Sequence, residues 1–352
     1  MNFRSDSRER SGALGKSKEG ADIRYFIIGE EGGIQAQVMN WGATVMRLKV
    51  PRCEGDGSDD VLLGFDSLAP YLLDHPYFGS TVGRIAGRVR SAAITIDEKR
   101  YNLARNEGKN HLHGGASGFH RRPWTVKHFG RNAVIMSSVS QNGAEGYPGR
   151  LEMTVTFSIE GGSALRIDYC GVTDRSTPCS PSFHGYFNLR GEGNGEILDH
   201  IFEIDARHFF PTRADFTLQD DVTAVDGLPE DFRRKVRLRE RIASLTREHG
   251  ALYFLGSSGT RSRFQRVARV EEESTRRWLE VWTTENCLQF YTGRYLSGDF
   301  VGKMGNRYGA YAGFCLECEG CPEALRLDRF PSILLRPGEE YRQTTIYRFG
   351  VI

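Results

Sequence analysis

The chain has 352 residues, enough to bury a large core, and its 41 glycines, 12 prolines and 21 phenylalanines sit among short alternating stretches that favour strands and turns over long helices. Forty-seven basic against 45 acidic residues leave a formal charge of +2 with both signs interspersed, which gives no electrostatic case for a nucleic-acid partner or an anionic membrane. No run approaches the roughly 20 apolar residues of a membrane span, and residues 1–23 lack the apolar core of a signal peptide, so the expectation is a cytoplasmic protein with a flexible segment at 1–23 and one domain at 24–352.

Alternation predicts strands over 25–28, 34–39 and 44–49, followed by a polar turn through 55–60. Residues 66–73 read as a short helical turn, because Asp66 and Ser67 supply a capping signal and Leu68, Tyr71 and Leu72 share helical spacing. Runs at 124–129, 133–140, 150–159 and 165–172, separated by turns such as Asn142-Gly143 and Glu160-Gly161-Gly162, predict consecutive hairpins. After a strand at 200–204, the stretch 209–255 shows only weak helical character, at 236–245. The charge-dense stretch 261–277 mixes both signs and reads as a solvated hairpin. Strands resume at 278–283, 288–292, 314–317, 332–335 and 341–348, giving a mainly β fold of two large antiparallel sheets packed face to face, with few short helices.

Seven scattered cysteines, an odd count, fit reduced thiols better than a disulfide framework. Cys315 and Cys318 have a spacing that invites a zinc reading. On a strand, however, period-two alternation sends them to opposite faces, so no metal is expected there.

Four groups of residues are candidates for chemistry. His113 precedes Gly114-Gly115, which would let a ligand approach the backbone closely; a structural turn is the alternative. In Ser182-Phe183-His184-Gly185-Tyr186-Phe187 alternation places Ser182, His184 and Tyr186 on one face, so His184 is either a proton-transfer group or a satisfied core histidine. Glu317 and Glu319 share a face in an apolar strand and should raise each other's pKa unless both pair with arginines. Arg84 and Arg88, an even number apart, are either fork-shaped ligand binders or exposed residues.

These residues fall in motifs that resemble the aldose 1-epimerase, or galactose mutarotase, family nearly end to end. The motifs run Tyr77-Phe78-Gly79, Gly83-Arg84 with Arg88, Leu112-His113-Gly114-Gly115, Gly146-Tyr147-Pro148-Gly149, Phe183-His184-Gly185-Tyr186-Phe187-Asn188-Leu189, Gln289-Phe290-Tyr291-Thr292-Gly293, and Gly313-Phe314-Cys315-Leu316-Glu317. The resemblance implies a β-supersandwich with a sugar cleft, Glu317 as base, His184 as acid, and Arg88, His113 and Gln289 as substrate-binding residues. Gly87 and Phe183 stand where the family has Asn, Glu319 where it often has Gln, and the stretch 249–255 lacks the family's sugar-binding Asp.

The implied reaction opens and recloses a pyranose by acid and base catalysis, so the expected partner is a small sugar and no cofactor or metal is required. A monomer or homodimer is expected. Arg84, Arg88 and the missing Asp leave two other readings in play: epimerisation of a phosphorylated or acidic sugar, and a non-catalytic sugar-binding protein. The missing Asp also predicts weak binding of galactose and glucose, and so a substrate other than galactose, such as an acidic or less hydroxylated aldose. Glycoside hydrolysis by Glu317 and Glu319 is disfavoured, because carboxylates two apart on one strand cannot flank a glycosidic bond from opposite faces.

Overall fold

The computed structural model describes residues 10–256 and 263–352. Alternation builds its strands: along Leu151–Glu160 every second side chain is buried, and the strand pairs over its whole length with Ala164–Thr173. These two lie inside a nine-stranded antiparallel sheet ordered Thr125–Phe129, Ala133–Ser140, Leu151–Glu160, Ala164–Thr173, Tyr341–Val351, Arg277–Thr283, Gln265–Glu272, Ile201–Ile204, Val236–Arg237. The C-terminal strand therefore sits mid-sheet, where it joins the two hairpin series.

A six-stranded sheet runs Tyr186–Phe187, Phe314–Glu319, Cys287–Tyr291, Gly250–Phe254, His208–Phe210, Thr223–Ala224. A five-stranded meander takes Ser11–Lys16, Asp22–Gly29, Gln35–Met39, Thr44–Pro51 and Ser58–Asp60 in chain order. One apolar core joins all three sheets, drawing Ile28, Val38 and Leu48 from the meander, Val155, Phe157 and Ile167 from the nine-stranded sheet, and Phe290, Phe314 and Leu316 from the six-stranded one. Because Phe314 and Leu316 face that core, Cys315, Glu317 and Glu319 must project from the opposite face of the same strand. The mainly β antiparallel fold is as expected, and Leu68–Tyr71 is its one α-helical turn among the described residues.

Several elements differ from expectation. The segment read as flexible over 1–23 forms the edge strand Ser11–Lys16, paired with Asp22–Gly29; residues 1–9 lie outside the described residues. The turn through 55–60 ends in the strand Ser58–Asp60. Within 209–255, His208–Phe210 and Gly250–Phe254 are strands of the six-stranded sheet, while the helical character at 236–245 resolves into short 3₁₀ turns. Gly250–Phe254 is buried almost throughout, and a strand covered on both faces loses the polar alternation by which it would be recognised. Ser67 does start the helical turn, but makes no side-chain cap; the Asp66 carboxylate accepts the backbone N–H of Met304 instead.

The charged stretch forms the hairpin Gln265–Glu272 with Arg277–Thr283, although Arg261 and residue 262 lie outside the described residues. It is not simply solvated. Glu272, 1% exposed, accepts Arg190, Ser274 and Thr275, and Arg277 is equally buried against Asp59 of the meander. No helix among the described residues is long and apolar enough to cross a membrane.

Candidate active site

A cleft of about 180 Å³ opens on the outer face of the six-stranded sheet, and it is lined by Arg88, His113, His184, Gln289, Glu317 and Glu319 together with Tyr77, Tyr186, His249, Tyr291 and Tyr295. Of the residues singled out from the sequence, Glu317, His184, Arg88, His113, Gln289 and Glu319 meet there, and Arg84 does not. Glu317 is opposite Gln289 in the antiparallel ladder, so register alone brings those two side by side. His184 arrives on Ser182–His184, a short strand paired with Ser80–Val82 and tied to the sheet by Ser182 Oγ donating to the Cys318 carbonyl at 2.9 Å. Phe183 and Phe187 point into the core, leaving His184 and Tyr186 stacked on the cleft side with ring centroids 5.0 Å apart.

His184 Nε2 lies 3.6 Å from Glu317 Oε2, and its Nδ1 lies 3.7 Å from the Cys315 thiol. Both members of the histidine–glutamate pair are buried, at 4% and 2% exposure. Burial pushes the His184 imidazole down to about 3, and it raises the Glu317 carboxyl to about 8 with Arg88 opposing. Glu319, 1% exposed, is raised well above the ordinary carboxyl value, first by burial and then by the charges of Glu317 and Glu285.

Arg88 lies on the strand Arg88–Val89, and His113 directly follows the facing strand His111–Leu112, in which Leu112 is opposite Arg88. Arg88 is held by Glu107 through a two-pronged contact, with Nε 2.7 Å from one carboxylate oxygen and Nη2 2.5 Å from the other. His113 has a left-handed backbone, φ 51°, and its Nδ1 accepts the Gly87 N–H at 3.2 Å. The two glycines after it serve the protein's own packing, not ligand approach: a Cβ at Gly114 would lie 1.8 Å from the Gly83 carbonyl oxygen.

His113, His184 and Glu317 offer atoms within 4.8 Å of one another, a spacing a metal ion could bridge. Their hydrogen bonding does not fit one. With Gly87 donating to Nδ1, neutral His113 carries its hydrogen on Nε2, so neither ring nitrogen keeps a free lone pair; a metal-bound histidine instead donates from its second nitrogen. Cys315 packs with the Tyr186 cluster and Cys318 with the main core, on opposite sides of their strand as expected.

Arg84 corrects the sequence reading. It is 2% exposed and lines no part of the cleft; its guanidinium donates to the Ser140 and Thr177 hydroxyls and to the carbonyls of Ser140, Gln141, Pro148 and Gly149. It is an internal tie between loops. Glu319 follows the first of its two readings and not the arginine-paired alternative: neither oxygen has a hydrogen-bond partner among the described residues, and the Glu317 charge adds to burial in raising it. His249 and Tyr295 were not singled out from the sequence. His249 packs 4.7 Å from the Tyr291 ring, and only the pairing of Gly250 with Tyr291 reveals that neighbour.

The sequence matches the aldose 1-epimerase family over residues 25–348. It is 39% identical to the galactose mutarotase of Bos taurus over 318 residues, covering 90% of this chain and 92% of that protein, and 37% identical to the human one with the same coverage. The aldose 1-epimerase of Escherichia coli (strain K12) is 29% identical over 338 residues, 94% of this chain and 96% of its own length. Among solved structures, an aldose epimerase homologue from C. elegans superposes with a TM-score of 0.84 at 27% identity, covering 93% of this chain and 99% of that one. A protein whose sequence and fold agree in this way belongs to the aldose 1-epimerase family, the isomerases that interconvert sugar anomers.

Proposed function

We propose that the cleft interconverts the anomers of a neutral aldohexose such as galactose or glucose, with Glu317 as the base and His184 as the acid. The observation that carries this reading is the 3.6 Å approach of His184 Nε2 to Glu317 Oε2 within the cleft. Opening a pyranose requires removal of the C1 hydroxyl proton and delivery of a proton to the ring oxygen. Closure on the other carbonyl face returns both, so each group alternates between donor and acceptor.

Burial favours protonated Glu317 and neutral His184, a state with one proton between them. The working state, carboxylate with imidazolium, has the same proton count and follows from one transfer within the pair. Sugar hydroxyls donating to Glu317, with the Arg88 charge, stabilise that ionised state. Arg88, His113 and Gln289 hold the hydroxyls through ring opening, so that the aldehyde recloses in place.

The charge balance favours a neutral sugar over an anionic one. Arg84 is remote, Arg88 is already paired with Glu107, and the Glu317 carboxylate of the working state would repel a carboxylate or phosphate. The galactose mutarotase names of the mammalian relatives support the same substrate class. Free thiols at Cys53, Cys287, Cys315, Cys318 and Cys321 support a reducing, cytoplasmic setting.

The test is anomer exchange by NMR on galactose and glucose. Glu317→Gln and His184→Asn should each reduce the rate at least ~100-fold with the fold intact. Near-normal exchange in either variant removes that residue from the mechanism.

A further inference from the structure

Glu319 is the least explained group in the cleft. It lines the cavity, is 1% exposed, and leaves both carboxyl oxygens without a hydrogen-bond partner among the described residues. A buried polar group in that condition is destabilising unless something outside the protein satisfies it. The space beside it is also maintained: a Cβ on Gly87 would lie 2.9 Å from Glu319 Oε1 and 2.9 Å from Pro322 Cγ. Gly87 and Glu319, two of the positions at which the sequence departs from its family's pattern, are thus neighbours in space.

The order of groups along the strand fixes which part of a sugar Glu319 can reach. Cys315, Glu317 and Glu319 project from one face, and the His184 ring spans the first two, with Nδ1 3.7 Å from Cys315 Sγ and Nε2 3.6 Å from Glu317 Oε2. Glu319 lies beyond Glu317, on the side away from His184. If Glu317 engages O1 and His184 the ring oxygen, the bond from C1 that points away from His184 is the one to C2.

We infer that Glu319 is a substrate-binding residue that reads the substituent on C2, selecting aldoses with a hydrogen-bonding group there. This inference rests on the assignment of Glu317 and His184 proposed above. Burial favours the protonated form of the Glu319 carboxyl, which presents both a donor and an acceptor to a hydroxyl, and a hydroxyl can answer both.

The experiment compares anomer exchange of D-glucose, 2-deoxy-D-glucose and 3-deoxy-D-glucose in the native protein, Glu319→Gln, Glu319→Leu and Glu317→Gln. In the native protein kcat/KM should fall by about 10-fold or more for the 2-deoxy sugar, the effect of a lost buried hydrogen bond, and less for the 3-deoxy sugar. Glu319→Gln, which keeps a donor and an acceptor, should retain that preference, whereas Glu319→Leu should lose it, with glucose falling towards the 2-deoxy rate. Removing an unsatisfied buried group should leave Glu319→Leu folded and at least as heat-stable as the native protein, checked by its melting temperature.

An unchanged ratio of glucose to 2-deoxy-D-glucose in a folded Glu319→Leu overturns the inference, as does a larger loss for the 3-deoxy sugar in the native protein. The Glu317→Gln variant separates the two readings. If it is inactive while Glu319→Leu keeps the native ratio, the acid–base assignment stands and the C2 assignment alone fails.

Discussion

At Glu317 and His184, burial reverses what the residue types suggest. A histidine with an ordinary pKa of about 6.5 would change charge near neutrality; buried, it is pushed down to about 3, while Glu317 is raised to about 8. The pair therefore keeps one proton across a wide range, and its pKa values belong to the pair jointly. The profile of kcat/KM against pH should be broad. Above about 8 the pair loses its single proton and activity should fall tenfold per pH unit, whereas the acid limb should lie well below 6.5. Initial-rate polarimetry from pH 4.5 to 9.5 checks this, and an acid limb centred between pH 6 and 7 would mean that His184 titrates as an exposed histidine does.

Between elements, buried ion pairs fasten sheets and loops that the apolar core alone would leave free to slide. Lys303, with no exposed surface, donates to Asp60 Oδ2 at 2.7 Å and to the Leu62 carbonyl at 2.8 Å, so the turn Lys303–Gly305 is locked to the edge of the five-stranded meander. Asp60 also accepts the Leu48 and Leu62 N–H groups, which fixes its position before the lysine arrives. Removing the lysine leaves a largely buried carboxylate short of its main countercharge. Lys303→Met should therefore cost roughly 3 kcal/mol despite adding apolar bulk. Urea denaturation measures that difference; a variant within about 0.5 kcal/mol of the native protein would show that Arg47, 3.5 Å from Asp60, suffices.

For the whole molecule, the buried histidines govern the acid limit. His111, His113, His120, His184 and His200 are all buried and all have lowered pKa values, caused first by burial. As pH falls below 6.5 the unfolded chain binds protons there that the folded chain does not, so stability declines by up to about 1.4 kcal/mol per pH unit for each histidine. Glu317 and Glu319 act with the opposite sign: their raised folded values make the folded state bind more protons above about 4.5, so their contribution weakens as pH rises. Five histidines outweigh two carboxyls. The melting temperature should drop on going from pH 7 to pH 5, and a flat or rising trend over that range would contradict the assignment of these histidines as neutral.

Read without a structure, the sequence determined the elements whose burial is one-sided, because one buried face stamps a period of two on the chain. The hairpins from Ala133–Ser140 to Ala164–Thr173 were legible for that reason. Ser182–His184 and Phe314–Glu319 are buried throughout, and polar residues at every second position of an apolar run marked them instead; which face meets the cleft came from the tertiary structure. Gly250–Phe254, covered on both faces, carried no such stamp, and His249 beside it was missed with it. Arg84 shows the same limit from the other direction. Its even spacing from Arg88 is a local fact, but whether an arginine meets a ligand or six oxygens of its own protein depends on loops brought from residues 140–149 and 177. Pairing across such distances belongs to the tertiary structure, since nothing local in the chain records which side chains will share a buried space.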